Sequence, residues 1–235
     1  MQTKENKAMI LAAGLGSRLG PLTKNRPKAL VEWEGRPLLE HVILKLKSEG
    51  FREIIINIHH FAEMIRDFVD AKDRFGIGIE FSLEEELLDT GGGIRKASWF
   101  FGEEDFLVYN VDILSSIDLQ ALMDAHKEGG ASVTLAVKDR PTTRSLLMND
   151  EGLLKGWRDN RSGETILVDE GVDRLIPIAY SATCVMSPEV QKLFPEEDRF
   201  PLMPWLLMLA EKEAVRLYRH DHDSWMDMGK PEVYK

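Results

Sequence analysis

The sequence of 235 residues predicts an α/β fold, a parallel sheet with helices on its faces. Three observations predict it. Short apolar runs alternate with stretches of helical length through the first half. The first run, M-I-L-A-A at 9–13, is apolar throughout, as a strand buried on both faces must be. That run empties directly into a loop rich in glycine and basic residues, where open sheets of this class place their ligands.

Taken in order, the first strand is expected over residues 8–13. A helix over 37–50 carries Leu38, Leu39, Val42 and Leu46 on one side and stops at Gly50. A second apolar strand covers 54–58. The amphipathic segment 61–72 turns Phe61, Ile65, Phe68 and Val69 inward, and a third strand covers 78–82. Thr90 is placed to cap the next helix, which opens on Gly91, Gly92 and Gly93. Three glycines cost roughly 1 kcal/mol each relative to alanine within a helix, so they need a reason. Close approach of a flat ligand to bare backbone is the expected one, with a flexible helix start as the alternative. A strand over 106–109 leads into N-V-D-I-L. A helix over 118–128, a strand near 131–138 and a hairpin-like pair over 144–158 follow. Residues 159–173 are expected as an excursion over the surface, 176–186 as a strand, 188–212 as a proline-rich helical section and 215–218 as a late strand.

Composition narrows the partners. No apolar run approaches the length of a membrane span, the first residues lack the apolar centre of a signal peptide, and the lone Cys184 excludes an internal disulfide. A cytoplasmic protein without a membrane partner is expected. The net charge of -10 opposes general binding to nucleic acid. Phosphate substrates would therefore need basic residues gathered at one site, with magnesium offsetting the remaining charge.

The loop after the first strand gathers them. Gly14, Gly16 and Gly20 allow close backbone approach to an anion, and Ser17 adds a hydroxyl. Arg18 supplies a planar fork of donors and Lys28 a compact charge, held in place by Pro21 and Pro27. A dinucleotide fingerprint would read G-x-G-x-x-G, whereas the spacing here is G-x-G-x-x-x-G with Arg18 inside it. A Walker A sequence is absent. A plain glycine-rich surface turn leaves Arg18 and Lys28 unexplained.

The run G-x-G-S-R-x-x-P-L-T-x-x-x-P-K-A-L, from Gly14 to Leu30, resembles the opening of the sugar-1-phosphate nucleotidyltransferases, also called nucleotide-sugar pyrophosphorylases. L-L-D-T-G-G-G-I over 87–94 adds a likeness to the compact N-acetylmuramate-1-phosphate uridylyltransferases among them. The resemblance is weakest between about 138 and 175. It implies a Rossmann-like, doubly wound mixed sheet in three α/β/α layers. It also implies a single catalytic domain over 1–235, with a nucleotide-binding part to about residue 128 and a sugar-side lobe beyond.

Roles follow from the same resemblance. Arg18 and Lys28 match catalytic basic residues, and Gly14, Gly16 and Ser17 belong to a loop that binds a nucleoside triphosphate. Asp112 and Asp227 match the aspartates of N-G-D and W-x-D-x-G, which hold magnesium; the ion commonly takes one or two carboxylates. Either aspartate alone could instead cap a turn. The implied reaction is in-line attack of a sugar 1-phosphate oxygen on the α-phosphorus of the triphosphate, releasing pyrophosphate. Its nucleophile is already an anion, so positioning and charge neutralisation suffice.

Ala12, Ala13 and Gly14 are expected to meet the base with backbone groups, while Thr90 and Gly91 flank the ring. Glu84 aligns with a base-reading glutamine. A carboxylate there can accept from the N3–H of uracil or thymine, which favours UTP over CTP and leaves dTTP and GTP open. Asn110, Ala182 and Thr183 match sugar-side positions, Ala182 standing where glycine is usual. Val111 also replaces a glycine, either narrowing the sugar pocket or marking a catalytically silent sensor. Arg144, Arg158 and Arg174 are candidates for a lactyl carboxylate. The favoured pair is UTP with N-acetylmuramate 1-phosphate; glucose, mannose or heptose 1-phosphate with dTTP or GTP is the alternative. His59, His60, His220 and His222 are expected as solvated loop residues, and Cys184 as a buried small hydrophobe.

Overall fold

A computed structural model describes residues 6–169 and 174–234. In chain order its regular elements are β1 (Asn6–Leu11), β2 (Glu32–Trp33), β3 (Arg36–Pro37), α1 (Leu38–Ser48), β4 (Phe51–Ile58), α2 (Ala62–Ala71), β5 (Gly78–Leu83), α3 (Asp89–Lys96) and α4 (Ser98–Phe101). Then come β6 (Phe106–Asn110), β7 (Ile113–Ser115), α5 (Leu119–Gly129), β8 (Val133–Lys138), β9 (Arg144–Met148), β10 (Leu154–Asp159), β11 (Thr165–Leu167), β12 (Ile176–Met186), α6 (Leu202–Ala210), β13 (Val215–Arg219) and β14 (Trp225–Asp227).

The main sheet runs β11-β10-β9-β12-β6-β1-β4-β5, with β8 beside β12 and β13 beside β8. Its β6-β1-β4-β5 part is parallel, whereas β12 joins antiparallel to β6, β8 and β9, so the sheet is mixed. The apolar run of β1 serves both faces by alternation. Ala8 and Ile10 pack with α1, α2 and α5, while Met9 packs on the other face with α3, α4 and α6. Ile54, Ile55 and Ile56 of β4 divide in the same way. Helices on both faces of one sheet give the three α/β/α layers expected.

Several boundaries move. The first strand ends at Leu11, because Ala12 and Ala13 turn out of the sheet into the loop. Phe61 is not on the inner face of α2; it precedes the helix in a left-handed conformation at φ 58. Helix α3 starts at Asp89 with no side-chain cap, so Thr90 lies within its first turn and caps nothing. The section from 188 to 212 divides into a 3-10 turn, Pro188–Leu193, and α6. Within the excursion, β11 adds an exposed edge strand to β10, and residues 170–173 lie outside the described residues.

Candidate functional site

Beyond the carboxyl end of β1, a polar relay fixes the start of the loop. Asn57 of β4 accepts the Ala12 and Ala13 N–H groups on its Oδ1, at 2.6 and 3.3 Å. Its Nδ2 donates to Glu84 Oε1 at 2.7 Å, and the other Glu84 oxygen accepts the Leu88 N–H at 3.0 Å. These bonds revise two expectations. The Ala12 and Ala13 amides are already engaged, and Glu84, 2% exposed, braces the turn before α3 with both carboxylate oxygens. A lone polar residue in the apolar run I-I-I-N-I was the sequence signal for Asn57.

The glycine loop is tightly braced. Gly16 sits at φ 65, and a methyl group there would stand 2.9 Å from Lys28 Cβ and from Thr23 Cγ2. Thr23 Oγ1 donates to the Gly16 and Gly20 carbonyls at 3.1 and 3.2 Å. Lys28 therefore lies across the loop, and its ammonium meets Asp112 Oδ2 at 2.8 Å. Ser17 and Arg18 are exposed.

Asp112 and Asp227 are joined by a two-stranded ladder that the sequence did not reveal. Strands β7 and β14 pair antiparallel with Ile113 opposite Asp227, and the Met228 N–H donates to the Asp112 carbonyl at 2.8 Å. The next residue, Gly229, is where the site converges. A methyl group on it would lie 2.7 Å from Asp112 Oδ2, 3.0 Å from Arg18 Nη2 and 3.0 Å from Asp227 Oδ1. Apolar packing holds the corner together: Leu19, Val31, Leu38 and Met228 form one buried cluster, so the neighbours of Arg18 and Asp227 anchor each other. Each such side chain, fully buried, contributes about 1.5–3 kcal/mol.

Asp112 Oδ1 is buried and has no hydrogen-bond partner. A buried carboxylate oxygen without a partner needs one. Hard oxygen donors on two carboxylates suit magnesium, which keeps its other positions for water and phosphate oxygens. Among the described residues no group of three or more His, Cys, Asp or Glu is placed to hold a metal. Lys230 Nζ lies 3.9 Å from Asp227 Oδ2. Burial, followed by the charges of Asp112 and Asp227, pushes the Tyr234 phenol up to about 12. Sequence reading missed both residues, although Lys230 directly follows the W-x-D-x-G motif.

A cleft of about 270 Å³ opens beside this corner, lined by Ala13, Gly14, Lys28, Glu84, Thr90 and Asn110 among others. Another hollow, about 560 Å³, lies against α1 and α2, where Arg26, Glu32, Glu40 and Lys72 line it. Four of its charges are paired, as Arg26–Glu32 at 4.0 Å and Lys72–Glu40 at 3.5 Å. The smaller cleft is the candidate site, because Lys28 joins it to the aspartate pair.

Other expected residues fall elsewhere. The glycine triplet is required by packing: methyl groups on Gly91, Gly92 and Gly93 would come within 2.3 Å of Phe200, 2.2 Å of the Asp198 carbonyl oxygen and 2.7 Å of Glu84. The Gly91 and Gly92 amides donate to the Phe200 carbonyl at 3.1 and 3.2 Å. Neither a bound ring nor flexibility is needed to explain them. Val111 does not narrow the cleft; it is fully buried with Leu107 and Tyr109, as a two-residue period requires. Thr183 is buried in the ladder opposite Tyr109. Ala182 keeps a glycine-like φ of 57 at a bulge in β12.

Arg144 and Arg174 pair with Asp159 and Asp150 at 3.9 Å each, and Arg158 donates to Thr165 at 3.1 Å. A cation missed by sequence reading, Arg140, stacks on Trp225 beside Asp227. Burial lowers its pKa and the Asp227 charge opposes the shift. His220 is buried, not solvated, and shares a 2.7 Å hydrogen bond with Ser181 Oγ; burial lowers its pKa. Cys184 is fully buried, which pushes its thiol up to about 12.

The family model described as nucleotidyl transferase matches residues 7–145. An N-acetylmuramate alpha-1-phosphate uridylyltransferase of Caulobacter vibrioides is 29% identical over 236 residues, covering 96% of this chain and 93% of that protein. A mannose-1-phosphate guanyltransferase of Candida albicans is also 29% identical, over 97% of this chain but only 62% of its own length. Among solved structures, HddC from Yersinia pseudotuberculosis in complex with GMP-PN has a TM-score of 0.78 at 23% identity, covering 97% and 96% of the two chains. UTP-bound UGPase from Acinetobacter baumannii gives 0.80 at 19% identity, covering 98% and 90%. These two likenesses establish the fold. Among the described residues no helix is long and apolar enough to cross a membrane.

Proposed function

The chain belongs to the nucleotidyl transferase family, and from that premise we propose that it joins a nucleoside triphosphate to a sugar 1-phosphate, releasing pyrophosphate. The observation that carries the reading is the meeting of Arg18, Asp112 and Asp227 around Gly229, with a buried Asp112 oxygen unsatisfied. A sugar 1-phosphate oxygen attacks the α-phosphorus, the bond to the β-phosphate breaks, and pyrophosphate leaves with the electron pair. No side chain has to remove a proton.

In this reading the cleft beside Thr90 and Asn110 takes the nucleoside, and residues beyond about 128 form the sugar side. Arg18 neutralises the departing β and γ phosphates, and Lys28 the phosphates of the transition state. Until ligands arrive, Lys28 and Asp112 neutralise each other across 2.8 Å. Asp112 and Asp227 would hold magnesium, which supplies positive charge to phosphate oxygens when bound. The chain's own contribution is to keep both carboxylates at one corner and the lysine within reach of both ligands.

UTP with N-acetylmuramate 1-phosphate is the favoured pair, supported by the Caulobacter relative, whose length this chain nearly spans. Glu84 lends less support than its sequence position implied, because its carboxylate is engaged by Asn57 and Leu88. GTP with mannose 1-phosphate is the second reading, favoured by guanyltransferases of equal identity. The silent sensor loses its motive, since Val111 lies in the core. The test is pyrophosphate release across UTP, dTTP, GTP and CTP with a panel of sugar 1-phosphates, with and without magnesium. Release confined to UTP and N-acetylmuramate 1-phosphate is expected; release with another pair changes the substrates, and silence throughout removes the activity.

A further inference from the structure

Arg140 lies in the turn between β8 and β9, and three contacts fix its guanidinium. Its Cζ is 3.6 Å from the centre of the Trp225 ring. Its Nη2 donates to the Tyr180 carbonyl at 2.7 Å, and its Nη1 makes a longer contact, 3.4 Å, to the Pro141 carbonyl. The Trp225 indole N–H donates to the Ser181 carbonyl at 3.0 Å. Arginine and tryptophan are thus latched together to the bulge of β12, where Ala182 is held at φ 57. Tight latching leaves the guanidinium little freedom, so any further partner must come to it.

The Asp227 charge acts on Arg140 only from beyond salt-bridge distance. The Nε is buried without a hydrogen-bond partner, and among the described residues no carboxylate is in salt-bridge contact with Arg140. Arginine taken out of water is ordinarily paired, and its planar fork suits carboxylate and phosphate. The position also has a direction. Trp225 opens the short strand that ends in Asp227, and β12 lies on the opposite side of β6 and β1 from β4 and β5. Asn57 and Glu84 of the nucleotide cleft sit at the β4 and β5 ends, so Arg140 flanks the aspartate corner on the other side.

Resting on the reading of a sugar 1-phosphate as acceptor, we propose that Arg140 receives an anionic group of that sugar substrate. Two groups carry the required chemistry, the 1-phosphate itself and a carboxylate borne by the sugar. The stack on Trp225 covers one face of the guanidinium and the Nη groups donate to the Tyr180 and Pro141 carbonyls, so Nε is the donor left without a partner. An anion there would supply the acceptor that Nε lacks.

Initial rates of pyrophosphate release test this in the whole chain and in Arg140→Gln and Arg140→Lys variants. One sugar carries a carboxylate, N-acetylmuramate 1-phosphate; the other, N-acetylglucosamine 1-phosphate, does not. Arg140→Gln is expected to raise the KM for the sugar about tenfold or more while the KM for the triphosphate and the melting temperature stay close to wild type. A rise with both sugars assigns the contact to the 1-phosphate, and a rise confined to the carboxylated sugar assigns it to the carboxylate. Arg140→Lys keeps the charge but not the fork, so its KM should fall between the other two. An unchanged sugar KM in an active Arg140→Gln enzyme overturns the assignment alone. Equal losses in both KM values and in melting temperature also overturn it, leaving the stack as a brace for Asp227. A wild-type chain silent with every pair overturns the underlying reading, and this proposal with it.

Discussion

The glycines of residues 14–20 and those of 91–93 differ in what surrounds them. In the loop after β1, a methyl group on Gly20 would meet nothing within 4 Å, and one on Gly14 only the Lys28 ammonium at 3.8 Å. At the start of α3, methyl groups on Gly91 and Gly92 would strike Phe200 and the Asp198 carbonyl at 2.3 and 2.2 Å. Gly14 and Gly20 leave room that a ligand can use, whereas Gly16 between them is packed against Lys28 and Thr23. The helical glycines have already given theirs to the segment 198–200. The same residue, met twice in sequence, leaves open space in one place and serves packing in the other.

The largest test of that contrast is Asp112→Asn. If the loop corner is the chemical one, turnover falls by about 10³-fold or more while the fold survives, read from pyrophosphate release beside a melting curve. Near-normal rates would break the comparison at its functional end. Next comes Gly92→Ala, where the obstacle is backbone: stability should drop by about 1–3 kcal/mol or more in urea unfolding, and a loss below about 0.5 kcal/mol would contradict the packing account. A sharper version uses Gly91→Ala, whose obstacle is the Phe200 ring. Made in a Phe200→Ala background it should cost about 1 kcal/mol less than in the wild type, a coupling that additive effects would exclude. The smallest effect on stability is expected for Gly14→Ala, within about 0.5 kcal/mol, because the new methyl makes an ordinary contact. Its effect should appear in the triphosphate KM instead, and an unchanged KM would mean that phosphates do not use that room.

Much of the fold was legible because its central strands are buried on both sides. Ala8, Met9 and Ile10 had to be apolar in succession, and such a run, followed by glycine and then helix, permits few topologies. The four charged residues of the corner were legible by type and motif, yet their meeting was not. It depends on β7 and β14, two strands of three residues that are too short to show a period. The relay from Ala12 through Asn57 and Glu84 to Leu88 draws on three separate segments, and no local pattern records it. Val111 was different. Its burial was written in the alternation Leu107, Tyr109, Val111, and comparison with a glycine motif drew attention to its position in place of its direction. The packing role of the helical glycines was not legible because a sequence reports the missing side chain and not the neighbour that fills its space.

The cluster joining Leu19 to Met228 also has a kinetic meaning. It closes a loop spanning most of the chain, whereas the parallel strands β1, β4 and β5 come from the first 83 residues. Contacts of long range form slowly, since closure entropy precedes any reward from packing. On dilution from denaturant, secondary structure measured by far-UV circular dichroism should therefore return before the corner that unites Arg18 with Asp227. A refolding chain would pass through a stage that has its sheet but no enzymatic competence, and the lag between the two signals would time the closure of that last loop.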